Sequence, residues 1–442
     1  MPALRITPQT RPLEGTVTVP GDKSISHRAV MLAALADGRS QVRRWLPAGD
    51  TQATLQAMRD MGVTIAVTPR SEQAWDLQIE GRGLHGLQAP TAALDCANAG
   101  TCMRLLAGIL AGQRFPSTLD GSDQLRKRPM GRIVQPLQAM GADIEGRDGR
   151  APLRIGPASL QGITYQMPVA SAQVKSAIML ASLYARGQTR IYQPGPARDH
   201  TERMLQAMGA PLASDGEWIS LAIDRDPLEL EPLELTVPGD ISSAAFVLVA
   251  ASIVPHSRVV VQEVGINETR SGLVQLLAEM GAELDAGNRR QSAGEPICDL
   301  EASFAELHGS EAAGEVVVRA IDEFPIWAVA ASQAAGRSVL RDAAELRVKE
   351  VDRIARLAGE LRHMGLPVEE RADGMAIEGP VRLRGAEVDS HGDHRLGMAL
   401  AVAGLVAGEP TIVRGAGCIA DSFPGFAETM GRLGADREWL EE

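Results

Sequence analysis

The chain has 442 residues, of which 45% are hydrophobic and 3% aromatic, and its 56 acidic and 44 basic residues give a formal net charge of −12. This length exceeds what one hydrophobic core usually holds, so we expect two large domains. The acidic excess and the scarcity of aromatic rings argue against a nucleic-acid groove built from basic patches and stacking side chains.

The cysteines and the N-terminus indicate the compartment. Four cysteines without C-x-x-C spacing are few for this length, which favours free thiols in a reducing compartment over disulfides or a zinc site. The first residues lack the apolar core of a secretory signal, and no apolar run is long enough to cross a membrane. We therefore expect a cytoplasmic protein, or one in a plastid-like compartment after processing.

The first predicted elements are a helix over 24–36, a strand over 41–46, a helix over 50–61 and two strands over 63–67 and 75–79. The helices rest on periodic Leu, Met and Ala between a polar start and a glycine stop. The strands rest on alternating apolar residues bounded by Gly, Pro and Asp. The following segment repeats this order.

A Met-Gly pair ends the second helix of this series and recurs along the chain. Its copies lie roughly 70 to 85 residues apart, which is too regular for chance and too long for a solenoid repeat. The chain is therefore predicted to contain six repeats of one small folded layer. The copies are Met61-Gly62, Met140-Gly141, Met208-Gly209, Met280-Gly281, Met364-Gly365 and, with leucine in place of methionine, Leu433-Gly434.

A second repeat divides the six layers into two sets of three. The sequence Val-Pro-Gly-Asp occurs at 19–22 and again at 237–240, and each copy precedes a serine and an apolar helix. We therefore predict a first lobe over 21–236 and a second lobe over 1–20 plus 237–442, with two crossings of the chain between them.

The extreme N-terminus is predicted to complete the second lobe. The sixth repeat ends after one strand, near 436–440, whereas the other repeats finish with two. Residues 4–8, Leu-Arg-Ile-Thr-Pro, are similar to Leu-Arg-Ile-Gly-Pro at 153–157, which is the closing strand of the second repeat. The missing strand is therefore expected from residues 4–8.

Three helices of the first lobe start with small residues followed by serine, threonine or a charged residue, at 21–28, 98–104 and 169–175. The unpaired N–H groups and the positive dipole end of a helix start attract anions, and glycine lets ligand oxygens approach the backbone. A single such start is more simply explained as a capped helix with solvated cations. Three of them in one lobe favour an anion site.

Two further segments of the first lobe are less specific. Residues 123–129 place three cations in a row before a proline, which is unusual in an acidic protein, although a solvated loop explains them equally well. Residues 198–202 read Arg-Asp-His-Thr-Glu, in which Asp199 would serve equally as an ordinary helix cap.

In the second lobe, the segment 347–353 predicts that Lys349 and Arg353 share one helical face, with Glu350 three residues before Arg353. An exposed ladder of ion pairs is the alternative explanation. Residues 392–395, Gly-Asp-His-Arg, repeat the pattern of turn, carboxylate and cation.

Asp322 and Glu323 lie among apolar residues at the start of a helix predicted over 326–335. Burial at such a position disfavours the ionised form of a carboxylate, which makes both residues candidate acids or bases. Service of Asp322 as a helix N-cap is the alternative.

Taken together, these motifs resemble the enolpyruvyl transferase family over nearly the whole chain. They stand in the order and approximate spacing of the family, which jointly is a specific signal, although any one motif would be weak. The matching segments are 21–28, 98–104, 127–129, 171–173, 347–353 and 393–395.

The resemblance implies an α/β fold, a two-lobed inside-out α/β barrel in which each lobe has three βαβαββ units, closing over the substrates. The implied reaction transfers the enolpyruvyl group of phosphoenolpyruvate to the 5-hydroxyl of shikimate 3-phosphate, through a tetrahedral ketal, and releases phosphate. No metal or organic cofactor is implied. We expect a monomer whose partners are these two small molecules, with no nucleic-acid or membrane partner.

The family's binding residues carry over onto matching positions of this chain. Those implied for shikimate 3-phosphate are Lys23, Ser24, Arg28, Ser171, Gln173, Arg198, Asp322 and Lys349. Those implied for phosphoenolpyruvate are Lys23, Gly100, Arg128, Gln173, Arg353 and Arg395. The chain departs from one branch of the family at Ala172, where that branch has serine, and at Asp421, where it has lysine. Gly100 leaves room beside the phosphoenolpyruvate site, so we expect sensitivity to the inhibitor glyphosate.

The implied catalytic residues are Lys23, Asp322 as the base for the 5-hydroxyl, and Glu350 as the acid for C3 of phosphoenolpyruvate. Lys349 and Arg353 favour the ionised form of Glu350, whereas an acid at neutral pH must hold a proton. We therefore hypothesise that Glu350 becomes competent only in the closed complex, where both cations pair with substrate oxygens.

The nearest alternative is the sister enzyme of the family, which acts on UDP-N-acetylglucosamine. That enzyme characteristically has asparagine after the motif lysine and a cysteine in the loop that here spans 119–128, whereas this chain has Ser24 and no cysteine in that loop. A P-loop phosphotransferase would need a glycine at a fixed spacing before Gly21-Asp22-Lys23-Ser24, and none is present. A non-catalytic anion-binding scaffold is disfavoured by Asp322 and Glu350.

Overall fold

The computed structural model describes residues 2–223 and 228–440. Residues 1, 224–227, 441 and 442 lie outside the described residues, so the first residue and the last two residues of the predicted second lobe are among those not described. The described strands are β1 (Ala3–Ile6), β2 (Glu14–Thr18), β3 (Arg39–Trp45), β4 (Thr64–Ser71), β5 (Ala74–Glu80), β6 (Leu94–Asp95), β7 (Ser117–Asp120), β8 (Asp143–Arg147), β9 (Arg150–Gly156), β10 (Thr164–Gln166), β11 (Gln188–Tyr192), β12 (Leu212–Asp215), β13 (Trp218–Ala222), β14 (Glu234–Thr236), β15 (Arg258–Gly265), β16 (Glu283–Ser292), β17 (Glu295–Ser303), β18 (Glu311–Ala312), β19 (Gly336–Leu340), β20 (Val368–Arg371), β21 (Gly374–Gly379), β22 (Glu387–Asp389), β23 (Thr411–Arg414) and β24 (Arg437–Leu440).

The described α-helices are α1 (Lys23–Leu35), α2 (Gly49–Asp60), α3 (Gly100–Leu110), α4 (Asp123–Lys127), α5 (Gly131–Ala139), α6 (Ala172–Ser182), α7 (His200–Ala207), α8 (Ile241–Ile253), α9 (Gly272–Glu279), α10 (Glu315–Arg319), α11 (Phe324–Gln333), α12 (Arg353–His363), α13 (His394–Leu405) and α14 (Phe426–Arg432). Two 3₁₀ helices span Ala344–Val348 and Ala416–Asp421.

The described strands form six four-stranded sheets of one design. In each sheet an edge strand pairs in parallel with its neighbour, and that neighbour pairs antiparallel with the third strand. The mixed α/β class and the sixfold repeat predicted from the sequence are confirmed. The strand orders are β14-β3-β5-β4, β6-β7-β9-β8, β10-β11-β13-β12, β16-β17-β15-β2, β18-β19-β21-β20 and β22-β23-β1-β24.

The elements predicted for the first repeat are confirmed as α1, β3, α2, β4 and β5, with ends displaced by a few residues. The largest displacement is at the end of β4, which continues through polar and exposed residues to Ser71. Backbone pairing with β5 extends the strand there. Alternation of apolar residues does not reveal such pairing, because the extra residues bury no side chain.

The chain divides into two compact units, and each has its own hydrophobic core. We name them the Lys23 unit, which comprises residues 21–237 and 292–295, and the Asp322 unit, which comprises the described residues of 2–20, 238–291 and 296–440.

Three helices in each unit are buried on almost all of their faces. In the Lys23 unit these are α1, α3 and α6, and in the Asp322 unit they are α8, α11 and α13. Within the Lys23 unit, α3 packs on both α1 and α6. A Cβ atom on Gly108 of α3 would lie 2.3 Å from the carbonyl oxygen of Ala177 in α6, so this approach requires glycine.

Strand β1 lies between β23 and β24 in a sheet of the Asp322 unit. Leu4 is opposite Val413 of β23 on one side and opposite Trp439 of β24 on the other. The side chain of Leu4 is fully buried in the core of that unit. Among the described residues, no helix combines the length and apolar character needed to cross a bilayer.

Candidate active site

The starts of the three buried helices of the Lys23 unit differ in how they are capped. The Asp22 carboxylate accepts a hydrogen bond from the backbone N–H of Ile25 at the start of α1, at 2.9 Å. Ser171 accepts one from the backbone N–H of Val174 at the start of α6, at 3.5 Å. The residue before α3 is Ala99, and no side chain caps that helix. The first N–H groups of α3 therefore favour an anionic ligand.

Gly100, the first residue of α3, lies against two guanidinium groups. A Cβ atom on Gly100 would be 3.1 Å from Nη1 of Arg104 and 3.1 Å from Nη1 of Arg128. Gln173 accepts a hydrogen bond from Arg104 and donates one to the hydroxyl of Thr101 at 3.0 Å. The structure thus brings together Gly100, Arg128 and Gln173, and it adds Arg104, which the sequence did not single out as a ligand.

Arg28 is a buried cation with polar but uncharged partners. Its Nε donates to the hydroxyl of Thr201 at 2.7 Å, its Nη2 to the hydroxyl of Ser176 at 2.9 Å, and its Nη1 to the carbonyl oxygen of Ser24 at 3.0 Å. Arg198 donates to the hydroxyl of Ser24 at 3.3 Å. Burial lowers the pKa of Arg28 to about 10, so it remains charged at neutral pH. Ser24, Arg28 and Arg198 therefore lie together.

Two more residues of α1 have defined partners. Nζ of Lys23 lies 3.1 Å from Oδ2 of Asp50, in an ion pair that is mostly shielded from solvent. Nδ1 of His27 lies 2.6 Å from the hydroxyl of Thr54. Burial lowers the pKa of His27 to about 3, which keeps the imidazole neutral at physiological pH. His27 is therefore a structural residue, and Lys23 a cation held at the start of α1.

The interpretation of Asp199 as an ordinary helix cap is wrong. Asp199 occupies the N-cap position of α7, but its side chain accepts no capping hydrogen bond. It accepts instead from Nε of Arg203 at 2.9 Å. The capping rule depends on the direction of the side chain, which residue type and spacing do not determine.

Asp199 also belongs to the group of metal-type ligands that the described part of the chain contains, together with His200 and Glu295. Nδ1 of His200 already lies 2.7 Å from Oε1 of Glu295, and Arg203 already pairs with Asp199. Hydrogen bonds and ion pairs within the protein therefore account for this group.

In the Asp322 unit, one carboxylate meets three cations that the sequence singled out. Oδ1 of Asp322 lies 3.1 Å from Nη1 of Arg353 and 3.6 Å from Nζ of Lys349, and its Oδ2 lies 3.9 Å from Nη2 of Arg395. Asp322 is not a helix cap, since Glu323 holds the N-cap position of α11 and makes no side-chain capping bond. An anionic ligand bound by these three cations would lie next to the Asp322 carboxylate.

The side chain of Arg353 is only 2% exposed, and three carboxylates compensate its buried charge. Besides Asp322, it contacts Oε2 of Glu350 at 2.6 Å and Oδ2 of Asp393 at 2.8 Å. Burial acts to lower the pKa of Arg353, but Asp393, Glu350 and Asp322 together raise it above its ordinary value. Asp393 also accepts a hydrogen bond from the backbone N–H of Arg395 at 2.8 Å. One buried carboxylate thus fixes the guanidinium of Arg353 and the start of the helix that carries Arg395.

The prediction that Lys349 and Arg353 share a helical face is wrong. A 3₁₀ helix ends at Val348, Lys349 is extended, and α12 begins at Arg353 with Asp352 as its cap. The two side chains nevertheless meet at Asp322, because the turn between the helices directs both toward it. Burial lowers the pKa of Lys349, and the neighbouring Asp322 acts to raise it.

A second buried network adjoins this cluster. The hydroxyl of Ser242 donates a hydrogen bond to Oε1 of Glu323. The same oxygen lies 3.8 Å from Nη1 of Arg395. Arg270 donates to the hydroxyl of Ser242 and to Oδ1 of Asp240, both at 2.8 Å. Sequence reasoning did not single out Ser242 or Arg270. The sequence analysis used the second Val-Pro-Gly-Asp copy, which ends at Asp240, only to divide the lobes, but the serine that follows it is a signal that could have pointed to this place.

Each of the two clusters has its own chemistry. The cluster in the Lys23 unit offers cations, hydroxyl groups and an uncapped helix start, which suits phosphate and carboxylate oxygens. The cluster in the Asp322 unit has carboxylates in contact with cations, which are groups suited to proton transfer next to an anion.

Comparisons with known proteins agree with this chemistry. The family model described as EPSP synthase (3-phosphoshikimate 1-carboxyvinyltransferase) matches residues 7–430. The chain belongs to the EPSP synthase family. A relative named 3-phosphoshikimate 1-carboxyvinyltransferase from Geobacter sp. (strain M21) is 51% identical over 420 residues, which cover 95% of this chain and 96% of the relative. The relative of the same name from Acidithiobacillus ferrooxidans (strain ATCC 53993 / BNL-5-31) is 52% identical over 414 residues, 94% of each chain.

Solved structures of the EPSP synthase family have the same fold. The structure of EPSP synthase from Acinetobacter baumannii matches with a TM-score of 0.88 and 43% identity over 100% of both chains. The fold class predicted from the resemblance is therefore confirmed, as is the membership of the enolpyruvyl transferase family.

Proposed function

We propose that the protein is a 3-phosphoshikimate 1-carboxyvinyltransferase of the shikimate pathway, which leads to the aromatic amino acids. It transfers the enolpyruvyl group of phosphoenolpyruvate to the 5-hydroxyl of shikimate 3-phosphate and releases phosphate. The observation that carries this proposal is the contact of Asp322 with Lys349 and Arg353, beside Glu350. The contact supports a site in which these carboxylates transfer protons beside cations that bind anionic substrates.

Addition is the first chemical step. The 5-hydroxyl oxygen forms a bond to C2 of phosphoenolpyruvate while C3 takes a proton, and the product is a tetrahedral ketal. Asp322 accepts the proton of the 5-hydroxyl, and Glu350 supplies the proton to C3. In the second step C3 returns a proton to Glu350, the bond from C2 to the phosphate oxygen breaks, and the proton on Asp322 leaves with the phosphate, which regenerates the double bond and both carboxyl groups.

Both substrates are polyanions, so the protein must offset their repulsion. Each charge-assisted hydrogen bond contributes roughly 1.5–3 kcal/mol, and a chain with several buried arginines supplies many of them. In this proposal shikimate 3-phosphate is bound by Lys23, Ser24, Arg28, Ser171, Gln173, Arg198, Asp322 and Lys349. Phosphoenolpyruvate is bound by Lys23, Gly100, Arg128, Gln173, Arg353 and Arg395.

Glu350 has a direct partner that bears on its role. Its Oε2 lies 2.6 Å from Nη2 of Arg353, which favours the ionised carboxylate. Phosphoenolpyruvate brings a competing carboxylate and phosphate to Arg353. When the Arg353 guanidinium pairs with the substrate instead of Glu350, the positive charge that opposes protonation of Glu350 is neutralised. This change supports the role of Glu350 as the acid.

The remaining features of the proposal concern the whole molecule. The two lobes comprise residues 21–236 and residues 1–20 plus 237–442, with the N-terminal strand completing the sixth repeat. The protein acts as a cytoplasmic monomer. The relatives described above carry the shikimate-3-phosphate name, so the activity toward UDP-N-acetylglucosamine has no support of its own.

A phosphate-release assay tests the function. Purified protein is expected to release phosphate only when shikimate 3-phosphate and phosphoenolpyruvate are both present, and to form the enolpyruvyl ether in equal amount by mass spectrometry. Replacement of shikimate 3-phosphate by UDP-N-acetylglucosamine is expected to abolish release. Phosphate release with the nucleotide sugar alone as acceptor would refute the proposal in favour of the sister activity.

A further inference from the structure

A buried ion pair lies behind the cluster of the Lys23 unit and takes no part in the mechanism above. Nζ of Lys175 on α6 lies 2.5 Å from Oε1 of Glu202 on α7, and the two side chains are 0% and 6% exposed. Lys175 also donates to Oε1 of Gln193 at 2.9 Å and to the carbonyl oxygen of Ala197 at 3.3 Å. Groups of the protein therefore surround the ammonium group of Lys175.

The same two helices also hold Arg28. Ser176 and Thr201, the chain neighbours of Lys175 and Glu202, accept hydrogen bonds from Arg28 and contact each other at 2.7 Å. Among the described residues, no carboxylate lies at ion-pair distance from the Arg28 guanidinium. Arg28 therefore differs from Arg353, which is surrounded by carboxylates.

Glu202, which follows Thr201 in the chain, is the carboxylate that acts most strongly on the charge of Arg28. Burial lowers the pKa of Arg28, and the charge of Glu202 is the strongest influence that acts to raise it. A buried carboxylate that loses its cation is costly, so it takes another cation when one is close. Without Lys175, Glu202 would turn to Arg28.

We propose that Lys175 is a positioning residue, which holds the Glu202 carboxylate and so keeps the Arg28 guanidinium available to the phosphate of shikimate 3-phosphate. The inference rests on the proposed function, from which it takes Arg28 as a ligand. The inference gives a role in specificity to Lys175, which itself touches no substrate. The pairing of Lys175 on α6 with Glu202 on α7 determines how much positive charge the site presents to the phosphate group.

The test is a double-mutant cycle with Lys175→Met and Glu202→Gln. In Lys175→Met, the KM for shikimate 3-phosphate is expected to rise roughly 10- to 100-fold, the loss of about one charge-assisted hydrogen bond. The KM for phosphoenolpyruvate and kcat should change less than threefold. Glu202→Gln is expected to have an unchanged or lower KM for shikimate 3-phosphate, and the double variant to return to within threefold of the unmodified enzyme.

A matched control separates positioning from loss of stability. Leu180→Ala truncates a core side chain that is 1% exposed on the same helix. It is expected to lower the melting temperature without raising the KM for shikimate 3-phosphate. If Lys175→Met does not fold, Glu202→Gln and the double variant carry the test, because the double variant contains no unpaired buried charge.

Two results would overturn the inference while leaving the proposed function intact. One is a Lys175→Met enzyme with an unchanged KM for shikimate 3-phosphate. The other is a KM raised tenfold in Glu202→Gln or in the double variant, which would make the carboxylate itself necessary for binding. Absence of phosphate release by the unmodified enzyme would instead refute the proposed function.

Discussion

Oδ1 of Asp322 accepts a hydrogen bond from Nη1 of Arg353 at 3.1 Å. The proposed base is therefore bonded to a proposed ligand of phosphoenolpyruvate. A carboxylate paired with a cation stays ionised, which a base requires. The same contact means that a substrate anion that binds Arg353 changes the surroundings of Asp322, so binding and proton transfer depend on each other.

Replacement of Asp322 by asparagine tests the base. Asp322→Asn keeps the size of the side chain but cannot accept the proton of the 5-hydroxyl, so kcat is expected to fall roughly 10²- to 10⁴-fold. Rapid-quench measurement of ketal and product gives the rate of the chemical step. Asp285→Asn, an exposed carboxylate on β16, is the control and should keep full activity. A kcat above one tenth of the original in Asp322→Asn would exclude the base role.

Glu350→Gln tests the acid. The amide cannot donate the proton to C3, so turnover is expected to fall by a similar factor, roughly 10²- to 10⁴-fold. Solvent deuterium incorporation at C3 should slow in parallel. Glu378→Gln, which alters an exposed carboxylate, serves as the control. Near-normal turnover of Glu350→Gln would assign the proton to another group.

The proposed exchange of Arg353 from Glu350 to the substrate predicts that the protein takes up a proton when phosphoenolpyruvate binds. Calorimetric titration with phosphoenolpyruvate in the absence of shikimate 3-phosphate, so that no turnover occurs, is expected to reveal proton uptake when it is repeated in two buffers of different ionisation enthalpy. Glu350→Gln should abolish that uptake, because the carboxylate released from Arg353 is the proposed acceptor. Equal uptake by both proteins would contradict the exchange.

Gly100→Ala tests the space beside two arginines. The added methyl group would lie 3.1 Å from Nη1 of Arg104 and of Arg128, which is tighter than ordinary contact. We expect weaker inhibition by glyphosate, with a smaller rise in the KM for phosphoenolpyruvate. Gly359→Ala is the matched control, since a Cβ atom there meets nothing within 4 Å on a helix. Equal inhibition constants for the original enzyme and Gly100→Ala would defeat the steric explanation.

His27 makes the fold sensitive to acid. Burial lowers the pKa of His27 from its ordinary value of 6.5 to about 3, so below pH 6.5 the unfolded chain binds a proton that the folded protein does not. The free energy of unfolding should therefore fall by about 1.4 kcal/mol per pH unit from this residue as the pH drops below 6.5. Urea unfolding between about pH 7.5 and about pH 5 measures the slope.

Two histidine variants isolate this contribution. His27→Gln is expected to flatten the pH dependence, since glutamine does not titrate. His363→Gln, in which the original side chain is 67% exposed, should leave it unchanged. Identical slopes for His27→Gln and the original protein would show that other groups control the acid response.

The repeat and the elements of the first layer followed from the sequence because they depend on local rules. Alternation and helical periodicity are set by which faces are buried, and glycine stops such as Gly62 adopt a positive φ that few other residues tolerate. The same rules were wrong for Lys349 and Arg353, because a 3₁₀ turn interrupts the helix that continuous spacing assumed.

Only part of the candidate site could be predicted from the sequence. Sequence motifs pointed to Arg28, Arg353 and Asp322 because each stands in a recognisable local pattern. Asp393 stands in the motif 392–395 and Glu202 in the segment 198–202, but neither pattern indicates which cation the carboxylate contacts. Their importance comes from partners more than 25 residues away in the chain, as for Glu202 with Lys175 and Asp393 with Arg353.

By itself, the sequence determined the α/β class, the six repeats and the family, because periodicity, turn residues and motif order are properties of the linear chain. Only the tertiary structure decided which charges meet. Ion pairing depends on distances of a few ångströms between residues far apart in sequence, and burial sets the strength of each pair. Spacing therefore predicted where cations lie, while packing decided that Arg353 is surrounded by carboxylates and that Arg28 is not.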